Sequence, residues 1–335
     1  MIINPELSIV VCVLNEEESI DLFLNAVIPF IEKSVNSYEI VFVNDGSTDR
    51  TLELIQARVA DPTSHIKLVN LSRNFGKDTA LTAGLDYAKG QAVIPMDVDL
   101  QDPPELIPEM VKKWREGADS VIAVRKDRSD DGLVKRKTAT AFYKVIGRMS
   151  KVDMPQNAGD YRLIDRKVVD VLQKMPEKSR FMKGLFAFPG FSKDYVYYSR
   201  PARVAGTTKW NYWKLWNFAL DGIFSFSTAP LRIWTYAGIG VGLASLTYLA
   251  FIIVKTLILG VDVPGYASLI TLILFFSSLN LIGIGVLGEY IGRIFEEVKN
   301  RPLYIIEGYY GDDDINSETN DTERRKNERR SSQAA

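Results

Sequence analysis

The sequence predicts an α/β domain built on a mainly parallel sheet, followed by a hairpin of two membrane-spanning helices. Three observations predict it. Short apolar runs alternate with amphipathic stretches between residues 7 and 125, each run ends in polar residues, and two long charge-free segments follow. The alternation is the βαβα pattern of a parallel sheet covered by helices. In order, strands are expected over 7–14, 39–44, 66–71, 91–96 and 120–124, with helices beginning near Glu16, Thr48, Phe75 and Pro103. Past residue 125 the alternation stops. Residues 125–148 are basic and predicted helical, 151–159 read as a loop, and short strands over 161–164 and 194–199 flank a helix over 165–174.

Residues 233–254 and 263–288 carry no charge. Each run exceeds the roughly 20 apolar residues that cross a bilayer core. Arg200, Arg203, Lys209, Lys214 and Arg232 precede the first run, and Arg293, Lys299 and Arg301 follow the second; the connection Gly260-Val261-Asp262 carries no basic residue. Basic residues mark the cytoplasmic side, so both termini and the large polar domain are expected there. Trp210, Tyr212, Trp213, Trp216 and Phe218 beside Lys209 and Lys214 suit a helix lying in the headgroup layer. The expected division is a cytoplasmic α/β domain over 1–209, an amphipathic juxtamembrane helix over 210–229, spans over 230–259 and 264–290, a cytoplasmic return over 291–310 and a disordered polar tail over 311–335. Glycines along both spans suit close helix packing and are compatible with a homo-oligomer.

Composition narrows the chemistry. The 335 residues carry a net charge of −1, which argues neither for nor against a polyanionic partner; no nucleic acid is expected. The single cysteine, Cys12, lies inside an apolar run, forms no intramolecular disulfide and is expected in the core. His65 is the only histidine, so a His-based metal site or nucleophile is excluded. Pro5, Glu6 and the run Glu16-Glu17-Glu18 interrupt any early hydrophobic region, so no signal peptide is expected.

In a parallel sheet ligands bind beyond the carboxyl ends of the strands. Those ends carry Asn15-Glu16, Asn44-Asp45-Gly46, Ser72-Arg73-Asn74 and Asp97-Val98-Asp99. Asp97 and Asp99 stand one residue apart after an apolar strand. Alternation alone would point them to opposite faces, and a turn starting there brings them together. Such hard oxygen ligands suit a divalent cation that also binds substrate phosphates. Gly46 permits a tight turn, Ser47 or Thr48 can cap a helix, and Asp45 can accept bonds from a base N–H or ribose hydroxyls.

Five ordered motifs carry a resemblance. They are Val13-Leu14-Asn15-Glu16-Glu17-Glu18, Val43-Asn44-Asp45-Gly46-Ser47-Thr48-Asp49, Ser72-Arg73-Asn74-Phe75-Gly76-Lys77, Met96-Asp97-Val98-Asp99-Leu100-Gln101-Asp102-Pro103-Pro104-Glu105 and Asn157-Ala158-Gly159-Asp160-Tyr161-Arg162-Leu163. With the apolar pair behind them, they resemble the family 2, GT-A-fold glycosyltransferases. Among these the chain is similar to the polyprenyl-phosphate glycosyltransferases, in particular the bactoprenol glucosyltransferase branch. The resemblance implies an inverting transfer of a sugar, glucose first, from a UDP-sugar to undecaprenyl phosphate. Glu16 and Asp45 would hold the uridine, Arg73, Phe75 and Lys77 would line the base and ribose, and Asp97 would lie near the ribose and sugar. Asp99 would coordinate Mg²⁺ or Mn²⁺, Gln101 and Asp102 would shape that loop, and Asp160 would act as the general base. By resemblance to the dolichyl-phosphate mannosyltransferases, Arg125, Arg136 and Thr140 would grip the lipid phosphate. Arg203 and Lys209 would sit where phosphates and headgroups meet. The segment Arg180-Phe181-Met182-Lys183-Gly184-Leu185 fits the same family and would close over the donor.

Departures are Cys12 where the family often has Pro, Leu14 where it has Tyr, and Asp78 where Glu or His is expected. The same chemistry with UDP-N-acetylglucosamine, a UDP-aminoarabinose derivative or GDP-mannose stays open. So does a non-catalytic membrane-anchored scaffold that binds nucleotide sugars. A processive synthase would carry a Gln-x-x-Arg-Trp motif, which this sequence lacks.

Overall fold

The computed structural model describes residues 4–61, 63–126, 158–175, 177–178, 180, 182–199, 229–259 and 265–311, though not every side chain of the two long helices. The basic segment with Arg136 and Thr140, the juxtamembrane stretch with Arg203 and Lys209, and the polar tail lie outside the described residues. The described residues divide into a sheet domain, which takes in the chain from Arg301 onward, and a helical unit.

The sheet domain begins with β1 (Leu7–Val13), α1 (Ile20–Glu32), β2 (Tyr38–Asn44), α2 (Thr51–Val59), β3 (Ile66–Leu71), α3 (Lys77–Tyr87) and β4 (Ala92–Pro95). There follow α4 (Ile107–Arg115), β5 (Ser120–Arg125), β6 (Ala158–Asp165), α5 (Arg166–Gln173), α6 (Met182–Ala187), β7 (Lys193–Tyr198) and, after the helical unit, β8 (Ile306–Tyr310). The sheet order is β7-β5-β6-β4-β1-β2-β3-β8. β1 pairs in parallel with both β2 and β4, and β2 with β3.

These strands are largely apolar because helices cover both of their faces. Ile9, Val11, Ile40, Phe42 and Ile94 are fully buried. On α1, Phe23, Val27 and Ile31 recur at helical spacing and are buried too, and the Phe23 ring stands edge-on to Phe42 with centroids 6.2 Å apart. Each such side chain taken from water contributes about 1.5–3 kcal/mol, the main driving force for the domain.

Two strands depart from the alternating pattern. β6 enters between β4 and β5, antiparallel to both, pairing Ala92 with Asp165 and Ser120 with Ile164. Asp165 then starts α5, its carboxylate accepting the Lys167 amide at 3.0 Å and the Trp114 indole N–H at 2.7 Å. β8 lies antiparallel along β3, in a stretch expected only as a return segment. Just before it, the Tyr304 hydroxyl donates to Asp86 at 2.7 Å, and within it the Tyr309 ring packs 4.9 Å from that of Tyr87.

In the helical unit, α7 spans Ala229–Leu259 and α8 spans Tyr266–Val298, so α8 runs past the expected end at residue 290. Gly283 of α8 lies against the Trp234 indole, where any Cβ would overlap the ring. Large apolar side chains stay exposed along both helices, among them Ile239, Leu243, Phe251, Leu281 and Ile284. Among the described residues, Phe275–Val298 has the length and composition to cross a membrane.

Gly90, in the turn entering β4, is enclosed on every side. Its N–H donates to Ser8 Oγ at 2.7 Å, and its carbonyl accepts the Arg166 guanidinium. A Cβ there would lie 2.5 Å from the Ser8 nitrogen and 2.7 Å from the Ala92 oxygen. Because those atoms are backbone, the sheet itself must shift, and Gly90→Ala should destabilise the domain by about 1–3 kcal/mol. A thermal unfolding midpoint unchanged from wild type would contradict this packing.

Candidate active site

The loops at the carboxyl edge are tied to one another before any ligand is considered. Asn15 takes a left-handed conformation at φ +56° at the end of β1. Its N–H donates to Ser47 Oγ at 3.0 Å, and its Oδ1 accepts the Thr48 amide at 2.7 Å. The Glu16 amide donates to Thr51 Oγ1 at 2.9 Å, and the Glu16 carboxylate accepts the Ser19 hydroxyl at 3.1 Å. The turns after β1 and β2 therefore form one unit.

Asp45 joins that unit to the turn after β3. Its carboxylate is buried, and its two oxygens accept the amides of Phe75 at 2.7 Å and Gly76 at 3.0 Å. Burial pushes its pKa up, against the pull of these two amides and of Arg73. Gly46 packs beneath the same turn at φ +72°, where a Cβ would come within 2.6 Å of the Arg73–Asn74 backbone. The Arg73 guanidinium lies 4.0 Å from the centroid of the Phe75 ring. Stacked planes of this kind form a platform on which a nucleobase can lie.

The third cluster centres on Lys77, the first residue of α3. Its ammonium contacts both oxygens of Asp97, at 2.6 and 2.9 Å, and stands 3.6 Å from Asp160 on β6. Burial would lower the Lys77 pKa, and the two carboxylates more than reverse that, holding it above the usual lysine range. Burial pushes the Asp160 carboxyl up, but Lys77, Lys183 and Arg162 bring it below the ordinary range, so it is ionised. Its Oδ1 is buried and has no hydrogen-bond partner among the described residues.

Leu100, at φ +55°, reverses the chain within the segment Asp97–Asp102. Asp99 Oδ1 accepts the Gln101 amide at 3.1 Å. Buried Asp102 lies behind the turn, its carboxyl pushed up to about 7, first by burial and then by Asp97. The Tyr161 hydroxyl secures the end of the loop on the Pro103 carbonyl at 2.8 Å.

The structure thus gathers the predicted residues into two groups. Glu16, Asp45, Arg73 and Phe75 belong to the loops after β1, β2 and β3. Lys77, Asp97 and Asp160 line one cavity with Cys12 and Asp102, and Asp99 lies on the adjoining turn. Arg125 ends β5 and donates to the Tyr198 hydroxyl at 3.3 Å. Cys12, expected in the core, is only partly buried and lines the cavity, where burial pushes its thiol up. Asp78 was singled out only as a departure. It receives the Met182 amide and feels Asp160, and burial with that neighbouring charge pushes its carboxyl to about 6. The acid next to Lys77 and the acid closing the Asp97 loop were the visible signals for Asp78 and Asp102, although nothing local shows that they are buried.

Residues 8–172 match the Glycosyl transferase family 2 model, and residues 229–294 match that of the GtrB C-terminal hairpin. An uncharacterized glycosyltransferase of Synechocystis sp. is 55% identical over 307 residues, 91% of this chain and 96% of that protein. This chain belongs to glycosyl transferase family 2. Within the family it is 53% identical, over 90% of its length and 97% of the relative's, to the bactoprenol glucosyl transferase of Shigella phage SfII. A putative glycosyltransferase of Bacillus subtilis, CsbB, is 41% identical over 90% of this chain and 91% of its own. The family 2 match covers every strand end described above through β6, and the hairpin match covers most of α7 and α8.

The raised Asp102 carboxyl has a measurable consequence. A group whose folded pKa lies above its unfolded value contributes stability that is complete below the unfolded value and lost as pH rises through the folded one. For Asp102 that window runs from about 4 to about 7. Asp102→Asn mimics the protonated form and can still accept the Asp97 amide. Its melting temperature relative to wild type should therefore rise from about pH 5 to about pH 7 and level off by about pH 8 without divalent cation. A difference constant across that range would show that Asp102 ionises normally.

Proposed function

We propose that the protein is an inverting glucosyltransferase that moves glucose from UDP-glucose to undecaprenyl phosphate on the cytoplasmic face of a bacterial membrane. The end-to-end likeness to bactoprenol glucosyl transferases, hairpin included, carries this reading. The site supplies what such a transfer needs. The uridine would lie on the Arg73–Phe75 platform beside Glu16 and above the turn that Asp45 holds. The diphosphate would then reach Asp97 and Asp99.

The oxygen donors on that turn fit Mg²⁺ or Mn²⁺, which prefer carboxylate, water and phosphate ligands. Asp97 is engaged by Lys77, so Asp99 is the residue that would hold the ion. Among the described residues no three His, Cys, Asp or Glu side chains gather into a metal site, so the diphosphate would supply further ligands. When bound, such an ion acts as a Lewis acid toward the charge on the departing UDP.

In the transfer, a phosphate oxygen of the acceptor forms a bond to the anomeric carbon as the bond to UDP breaks and its electron pair leaves on UDP. Asp160, ionised and with no hydrogen-bond partner for Oδ1 among the described residues, is the group that would orient that oxygen and take its proton when one is present. An anionic acceptor approaching a carboxylate needs compensating cations, and Lys77, Lys183 and Arg162 surround Asp160. Arg125 would belong to the acceptor side, together with Arg136, Thr140, Arg203 and Lys209. Both α7 and α8 would cross the bilayer, with the flanking arginines and lysines on the cytoplasmic side.

The test is a transfer assay on detergent-purified protein with undecaprenyl phosphate, Mg²⁺ or Mn²⁺, and UDP- and GDP-sugars offered one at a time. Mass spectrometry of the lipid products should find hexose-phosphate-lipid from UDP-glucose alone. Product from another sugar would change the donor assignment, and no product with UDP still bound would point to the scaffold reading. Asp160→Asn should reduce turnover by about 10²–10⁴-fold while leaving UDP affinity near that of wild type. Near-normal turnover in that variant would remove Asp160 from the mechanism.

A further inference from the structure

A line of hydrogen bonds crosses the outer half of the sheet and ends at the nucleotide edge. The Glu307 carboxylate on β8 accepts Asn70 Nδ2 at 3.0 Å, and Asn70 Oδ1 accepts Asn44 Nδ2 at 2.7 Å. Asn44 Oδ1 accepts the Ser47 amide at 3.2 Å, and Ser47 Oγ accepts the Asn15 amide at 3.0 Å. Asn44 and Asn70 are register partners on β2 and β3, and both are buried, at 1% and 4% exposure. Glu307 occupies an irregularity. Leu71 pairs with Ile306 and Asn70 with Gly308, which leaves Glu307 as the extra residue of a bulge. Bulges re-aim side chains, and this one turns a carboxylate toward a buried amide.

We propose that Glu307 is a positioning residue for the donor site, setting the direction of this relay and thereby holding the Asn44–Asp49 turn. This rests on the reading that the nucleotide binds at that edge. A primary amide has an accepting end and a donating end, whereas a carboxylate only accepts. With Glu307 at the outer end, Asn70 must present its NH₂ outward and its oxygen to Asn44. Asn44 must then present its NH₂ to Asn70 and its oxygen to the Ser47 amide. Reversing both amides would set the Asn44 NH₂ against the Ser47 N–H, two donors face to face in a partly buried place. Bonds in such a chain also polarise and strengthen one another. Glu307 is itself held, because Ile305 accepts the Ser72 amide at 2.9 Å, and Tyr304 and Tyr309 fix the segment to Asp86 and Tyr87. The strand made after the helical hairpin thus reaches the site through two asparagines.

The test uses the full-length protein in detergent with Glu307→Gln, which can still accept through Oε1, Glu307→Met, which cannot, and Glu307→Lys, which only donates. The KM for UDP-glucose and kcat are measured with hydrogen exchange of the peptide containing Ser47. For Glu307→Met we expect KM to rise about fivefold with kcat unchanged and Ser47 exchange to quicken, more so for Glu307→Lys. Glu307→Gln should stay near wild type in all three. Wild-type KM and exchange in the Met and Lys variants would overturn the proposal. So would a Gln variant as impaired as the Met variant, since the side chain would then matter only for the fold. If wild-type protein turns over no UDP-sugar, the functional reading falls, and the exchange pattern still upholds or overturns the relay.

Discussion

Lys77 brings one positive charge to a place where Asp78, Asp97, Asp102 and Asp160 all press on the same small volume. Like charges held a few ångströms apart cannot all ionise, and burial raises the cost further. The structure resolves the conflict unequally. Asp97 and Asp160 both contact the ammonium, and Asp160 is held below the ordinary carboxylate range, while burial and neighbouring charges leave Asp78 and Asp102 with raised pKa values. Because Lys77 opens α3, Asp97 follows β4 and Asp160 lies on β6, the same contact fixes three elements relative to one another. The geometry of the cavity and its electrostatic balance are one arrangement.

The sheet order explains why Asp160 can be there at all. A purely parallel continuation would have placed β5 next to β4. Inserting β6 between them, antiparallel to both, carries the start of that strand to the edge where the parallel strands end. Asp160, two residues into β6, thereby meets Lys77 and the Asp97 turn. Arg162, also near the start of the strand, lies over the Phe186 ring at 4.3 Å and contributes positive charge toward Asp160. A strand running the other way delivers the side chain that the parallel strands could not supply from their own loops.

The first five strands were legible because each is a largely apolar run closed by polar residues, so composition alone marks both the element and the edge where its loop begins. The motif residues were legible for the same reason. The position of β6 was not, because Ala158–Asp165 shows no preference for β4 and β5 as partners; pairing is a non-local property. β8 was hidden more completely, since Ile-Glu-Gly-Tyr-Tyr has neither an apolar run nor clean alternation, and its bulge breaks the period. Cys12 was placed in the core because its neighbours are apolar, yet one position near a strand end faces the cavity. The burial that lifts Asp102 is a property of the folded domain, which no local spacing records.

β8 also has a consequence for how the protein is made. The outer edge of β3 is complete once about seventy residues have left the ribosome, but its partner comes only after both long helices. At about 5–20 residues per second, that edge waits tens of seconds with unpaired amides and carbonyls. Exposed edges of this kind invite pairing with other chains. The last strand therefore acts as a completion signal: the sheet closes only in a chain whose hairpin has already been synthesised. A nascent chain released before residue 306 keeps every residue of the Lys77 cluster and still lacks the strand that seals its sheet.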